Sequence, residues 1–267
     1  MLTEKISGKS IVTIIVRLVI IYLIGYIFLT LNPSWRGRVA TAFDYFDSRP
    51  SYRILFIGNS RTYYNDMPYM IRDIADSAGA KYKVQATMHA LSARSLKDHW
   101  ENTTVHDLLE QNWDHVVIQA RSGAHGTEQD RLDFFEYGEQ LSGKAKRHSG
   151  KVSLFVGWPY SSKIFKGDVQ AADLYDEYIQ EDHQKLSESA DVDNVNIGAA
   201  WGRQLSKNDK LRLEIDGNHP NMQGSYLAAL AIYKTLPEAD LFKVSYVPGD
   251  ISPEQAEQII LSVNDAG

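Results

Sequence analysis

From residue 53 onward, short apolar runs alternate with longer amphipathic stretches, and this alternation restricts the chain to few architectures. The runs 53–57, 83–88, 115–119, 152–157 and 194–197 read as strands. Helical periodicity predicts helices over 66–78, 95–111 (broken near Asn102-Thr103), 128–149, 171–190, 220–236 and 253–263. Strands that alternate with helices build βαβ units and a parallel sheet. Val116-Val117-Ile118 and Val152-Ser153-Leu154-Phe155-Val156 are strongly apolar, as strands covered on both faces are. The expected fold is α/β: a three-layer sandwich around a mostly parallel five-stranded sheet, spanning 53–267. Hydrophobic residues make up 43% of the 267-residue chain, enough for a sizeable core and against global disorder.

The N-terminus has a different character. Ile11 to Leu31 is a 21-residue apolar run with one charge, Arg17, and one glycine, Gly25. A helix of that length is about 30 Å long, which matches a bilayer core. A signal peptide has a shorter apolar stretch, and a soluble core helix is seldom apolar all round. The run is therefore read as a transmembrane signal anchor. Residues 1–10 are its short basic tail and 32–52 a juxtamembrane linker, with Pro33 and Pro50 as breakers. Lys5, Lys9 and Arg17 against Arg36 and Arg38 favour a cytoplasmic N-terminus and an extracytoplasmic domain. The net charge of −6 combines this basic segment with an acidic remainder that has no basic stripe, a poor match to nucleic acid. There is no cysteine, so thiol nucleophiles and thiolate metal sites are excluded.

An open parallel sheet binds ligands beyond the carboxyl ends of its strands. The loops expected there are Asn59-Ser60-Arg61, His89 to Arg94, Gln119-Ala120-Arg121-Ser122 and Trp158-Pro159-Tyr160. A later loop, Glu214 to Pro220, precedes the 220–236 helix. The strand Arg53 to Ile57 stops at Gly58, which sets Ser60 at a strand end. Gly58-Asn59-Ser60 suits a capped turn, and it equally suits a nucleophile. A serine needs a base, and the base needs an orienting partner. Asp216 and His219 are three residues apart on one loop. A carboxylate at that spacing can hold the imidazole Nδ1–H while Nε2 faces a serine on another loop.

In these residues the chain resembles the SGNH, or GDSL, serine hydrolases, which are esterases and lipases. Gly58-Asn59-Ser60 is similar to the family's first block, which carries the nucleophile. Asp216-Gly217-Asn218-His219-Pro220 is similar to its last block, which carries the acid and base. Residues 54–68 resemble a poorly characterised bacterial subgroup. The resemblance implies a flavodoxin-like fold, a Ser60-His219-Asp216 triad, and no cofactor or metal. It also implies an oxyanion hole built from Ser60, a backbone N–H near Ala93 and Arg94, and the Gln119 side chain. The usual second-block glycine is missing from Ser92-Ala93-Arg94-Ser95-Leu96, and Gln119 stands near the family's usual asparagine.

Arg61, Arg94 and Arg121 follow these residues closely and suit either a cationic rim for an anionic substrate or pairing with surface carboxylates. With Trp158, Arg61 and Arg121 are the candidate substrate-binding residues. His89, His99 and His125 lack metal-ligand spacing with carboxylates and are read as structural or exposed, with His99-Trp100 packed under the second loop. The expected protein is a membrane-anchored serine esterase acting on acyl or acetyl esters of a small molecule or an envelope glycan or lipid. The alternatives are acetyl transfer through the same acyl-enzyme, and a non-catalytic envelope binding domain on a hydrolase fold.

Overall fold

The computed structural model describes residues 16, 17, 20, 44, 47–207 and 212–266. The chain divides into two units, Met1–Phe46 and Asp47–Gly267. In the first, Val16, Arg17 and Ile20 are helical. The rest of the expected anchor at 11–31 and most of the expected linker lie outside the described residues. Among the described residues, no helix is long and apolar enough to cross a membrane.

The second unit runs β1 (Ser51–Gly58), α1 (Ser60–Tyr63), α2 (Met67–Ser77), β2 (Lys83–Ala90), α3 (Leu96–Trp100), α4 (Thr103–Leu109) and β3 (His115–Ile118). It continues with α5 (Glu128–Ala145), β4 (Val152–Val156), α6 (Val169–Ala190), β5 (Asp193–Asn196), α7 (Ile197–Lys207), α8 (Met222–Tyr233) and α9 (Pro253–Asn264). The strand order is β2-β1-β3-β4-β5, and all four pairings are parallel. Residues ahead of β1 are already tied to the sheet. Pro50 O accepts the Lys83 N–H at 2.9 Å, and Arg49 Nη1 donates to the carbonyls of Ala80 and Tyr82.

Burial explains the layers. Ile54 and Phe56 point to one face of β1, where α2, α7, α8 and α9 supply Ile71, Trp201, Leu230 and Ile259. Leu55 and Ile57 point to the other, against Leu96, Val105, Leu109, Phe134 and Leu141 from α3, α4 and α5. Two apolar faces per strand demand two helical layers. Short polar side chains set the helix starts. Asn102 Oδ1 accepts the Thr104 N–H at 2.9 Å, which makes the expected break between α3 and α4 a capped helix start.

The order reverses between β1 and β3, because the chain leaves β1 toward β2 and then returns to β1's other side as β3. A crevice opens there beyond the strand ends. The loop after β3 lines it and is pinned from behind. Asp182 on α6 has no accessible surface. Its carboxylate accepts from Arg131 Nε and Nη2 at 2.7 and 2.6 Å and meets His125 Nδ1 at 2.9 Å. Tyr175 on α6 donates its hydroxyl to Ser122 O at 2.5 Å.

Burial alone would raise the Asp182 pKa, but the hydrogen bonds from His125 and Arg131 outweigh it and lower the value to about 2. A depressed carboxylate stabilises the fold above its unfolded pKa, near 4, and loses that contribution as pH falls through about 2. Asp182→Ala strands the charge of Arg131 and is expected to lower the unfolding free energy at neutral pH by about 3 kcal/mol. Urea denaturation at pH 7 and at pH 2.5 measures this, and the deficit should shrink at the lower pH.

Candidate active site

Gly58 ends β1 where no other side chain fits. A Cβ there would lie 2.4 Å from Thr62 Oγ1 and 2.8 Å from Gln119 Oε1. The chain then turns at Asn59, whose Oδ1 accepts the Arg61 N–H at 3.3 Å and so starts α1. Ser60 is the first residue of that helix, and its N–H has no acceptor within the helix. Its side chain sits at the carboxyl edge of β1, beside the reversal in strand order.

The second half of the site is a small closed loop. Glu214 and Pro220 form an antiparallel bridge, and the Ile215 N–H donates to His219 O at 2.9 Å. Inside the loop, Asp216 Oδ1 accepts the N–H groups of Asn218 and His219 at 3.0 and 2.8 Å. Asp216 Oδ2 accepts from His219 Nδ1 at 2.7 Å. A carboxylate there holds the proton on Nδ1, which leaves Nε2 as an acceptor. Ser60 Oγ lies 3.0 Å from that Nε2. Desolvation would raise the Asp216 pKa, but the hydrogen bonds from His219 and Asn218 prevail and lower it to about 2. Gly217 adopts a φ of +90°, and a Cβ there would meet Ser161 Cβ at 3.3 Å. Gly217 O accepts the Ser161 N–H at 2.9 Å, stitching this loop to the one after β4. The helix that follows starts two residues later than Pro220, at Met222, with Asn221 as its cap.

Several expected site residues hold the site rather than face a ligand. Arg61 is 3% exposed and forms no part of a rim. Its Nε donates to Asn218 Oδ1 at 3.0 Å and its Nη1 to Trp158 O at 2.5 Å. Its guanidinium lies over the Trp158 ring at 4.6 Å, and desolvation lowers its pKa to about 10. Trp158 is itself 1% exposed. It donates Nε1–H to Asn218 O at 3.0 Å and stacks on Trp201 at 4.1 Å, so it underlies the Asp216–His219 loop. Arg94 pairs with Asp98 at 3.4 Å, and Arg121 pairs with Asp130.

Gln119 is also redirected. Its Oε1 accepts the Asn59 N–H and the Thr62 hydroxyl, both at 2.9 Å. Of the two ends of a carboxamide only the oxygen accepts from an N–H, which fixes the amide orientation, and its Nε2 donates to Ala120 O. Its oxygen is thus taken up within the fold, and its nitrogen gives one N–H to Ala120 O. In the loop after β2, the Arg94 N–H donates to Leu91 O at 3.3 Å, while Arg94 O accepts from Asn59 Nδ2 at 3.2 Å. His99 Nε2 lies 2.9 Å from Gly58 O at the end of β1, and its ring meets that of His89 on β2 edge-on at 5.4 Å. The sequence carried no signal for the parts of Asn218, Thr62 and Trp201, since each depends on a partner far along the chain.

No family model and no curated protein sequence matches this chain. Solved structures do. A protein of Slackia heliotrinireducens described as a candidate SGNH hydrolase superposes with a TM-score of 0.57 at 25% identity, covering 69% of this chain and 98% of the other. A DUF4886-family protein from Bacteroides uniformis gives 0.68 at 16% identity, covering 81% and 94%. An acetylxylan esterase from Geobacillus stearothermophilus gives 0.54 at 14% identity, covering 70% and 94%. The fold is that of the SGNH/GDSL-type hydrolases. This is a class of ester-hydrolysing enzymes.

Ala93, in the segment Ser92 to Leu96 from which the resemblance's glycine is missing, sits at a φ of +59°. The left-handed region costs an L-residue about 1–2 kcal/mol. At an ordinary position Ala→Gly lowers stability by roughly 0.5–1 kcal/mol. Ala93→Gly is expected instead to leave the melting temperature unchanged or raise it, as differential scanning calorimetry will measure; an ordinary loss would contradict the strain.

Proposed function

We propose that the protein is a membrane-anchored serine esterase that works through an acyl-enzyme on Ser60. The observation that supports this best is the unbroken hydrogen-bond chain from Asp216 through His219 to Ser60, at 2.7 and 3.0 Å. In the reaction, Ser60 Oγ attacks the ester carbonyl and its proton passes to His219 Nε2. Asp216 stays ionised and stabilises the imidazolium without taking its proton. The tetrahedral oxyanion accepts from Ser60 N–H and Ala93 N–H. Collapse of the intermediate breaks the ester bond, and His219 returns the proton to the leaving alcohol. Water then takes the alcohol's place, gives its proton to His219, and releases the acid with Ser60 restored.

The substrate class proposed is an acyl or acetyl ester of an envelope glycan or lipid. The acetylxylan esterase among the structural neighbours supports an acetyl ester. The Asp216 side chain is half exposed, so the site lies near the surface and suits a bulky alcohol. The anchor at 11–31 rests on the length of its apolar run. It would hold the domain outside the cytoplasm, next to such material.

Purified full-length protein is expected to release p-nitrophenol from p-nitrophenyl acetate. Ser60→Ala should cut kcat by at least about 10⁴-fold, as loss of a serine nucleophile does. Undiminished turnover in Ser60→Ala would remove the serine mechanism. No turnover by the parent, together with no labelling by a fluorophosphonate, would favour a binding domain. The anchor predicts that the protein sediments with membranes and stays there through an alkaline carbonate wash; release by carbonate would refute it.

A further inference from the structure

We propose that Tyr64 and Asn65 form a clasp that sets the position of His219 against Ser60. They are positioning residues for the ester cleavage, an inference that rests on the roles of Ser60 and His219 given above. Asp216 orients His219, but both belong to the same closed loop and would move together. The distance that matters runs from that loop to α1, and it has to be held by groups that cross between them.

Asn65 crosses that gap. Its Nδ2 donates to Pro220 O at 3.1 Å and to Ser225 Oγ at 2.8 Å. Pro220 is the residue after His219, and Ser225 lies fully buried in the first turns of α8. Ser225 Oγ in turn donates to Tyr64 O at 3.3 Å, which closes a ring of contacts between the nucleophile's segment and the histidine's. Tyr64 adds a flat wall. Its ring lies parallel to the His219 imidazole, 4.6 Å between centroids and 15° between planes. Tyr63 stacks behind it at 5.6 Å. The imidazole is then bounded by Asp216 at Nδ1, Ser60 at Nε2 and Tyr64 on one face.

The backbone shows what this arrangement costs. Asn65 and Asp66 are consecutive left-handed residues, with φ of 54° and 53°. Such a pair is rare outside glycine and persists where surrounding contacts hold it. The turn lets the chain leave α1, present the Asn65 carboxamide to α8, and still enter α2 at Met67. Asparagine is among the residues that tolerate this conformation best, and it supplies the donor as well.

The test compares substitutions that separate backbone from side chain. Asn65→Gly adopts a positive φ freely and removes only the carboxamide. Steady-state kinetics of the full chain on p-nitrophenyl acetate should show kcat falling about tenfold with KM within about twofold, since a displacement of an ångström can cost up to 10². Tyr64→Leu should behave likewise, and Tyr64→Phe should restore the parent's rate because the ring, not the hydroxyl, makes the contact. Parental kcat in Asn65→Gly, or no difference between Tyr64→Leu and Tyr64→Phe, would overturn the clasp.

A second readout does not depend on turnover. Tyr64 stacks on the His219 ring, and its ring current should shift the His219 Cε1–H line upfield in the proton NMR spectrum. Asn65→Gly should move that line back toward the free-imidazole position while circular dichroism stays that of the parent; an unchanged line overturns the proposal. Full activity in Ser60→Ala would instead reject the serine mechanism, and the NMR line would still decide the clasp.

Discussion

The buried carboxamide of Gln119 is the contact on which the site depends. It comes from the end of β3, and it accepts from the backbone and hydroxyl groups of the turn that leaves β1. Parallel strands at a point of reversed order send their connections to opposite sides, so nothing in the sheet itself joins the two loops. One side chain oxygen with two acceptor directions supplies that join. The same closeness forbids a Cβ at residue 58, and the glycine and the glutamine are therefore a single requirement. Once the turn is fixed, α1 begins at Ser60, at the carboxyl edge of β1.

Charge is used in two opposite ways around this centre. Asp182 is buried but saturated, with two nitrogens of Arg131 and one of His125 upon it. Arg61 is buried with oxygen partners that carry no formal charge, the carbonyl of Trp158 and the amide oxygen of Asn218, and with aromatic faces beside it. A guanidinium is weakly hydrated for a cation and stacks well on indole, which lowers what burial costs it. The first arrangement braces the loop after β3. The second braces the loop that carries Asp216 and His219, from the residue next to Ser60.

Much of the sheet was legible because its signals are local. The apolar runs of β1, β3 and β4 state their own burial on both faces, and Asn102 states its own helix start. The α7 helix was not legible: it begins at Ile197 directly after β5 with no spacer, its start marked only by Asn196 Oδ1 accepting the Ala199 N–H. The site divides along the same line. Asp216 and His219 lie three residues apart, and their mutual contact could be read from that spacing. The positions of Arg61, Gln119 and Trp158 could not. A charged or polar residue in a loop is by default solvated, and its burial is decided by partners 57 to 157 positions away. The segment near the second loop lacks the expected glycine, yet its backbone enters the left-handed region at Ala93.

The bond between Ser60 and His219 spans 159 positions of sequence. Few contacts in the domain are less local, and loops of that span close late when a chain folds. During synthesis the serine emerges early, on a strand that can pair with its first neighbours well before the histidine exists. The hydroxyl then has no base, and a serine without one is an inert alcohol at neutral pH. On the proposed mechanism competence requires the Asp216–His219 loop, and the order of the residues along the chain would leave Ser60 without its base until the domain around it is complete.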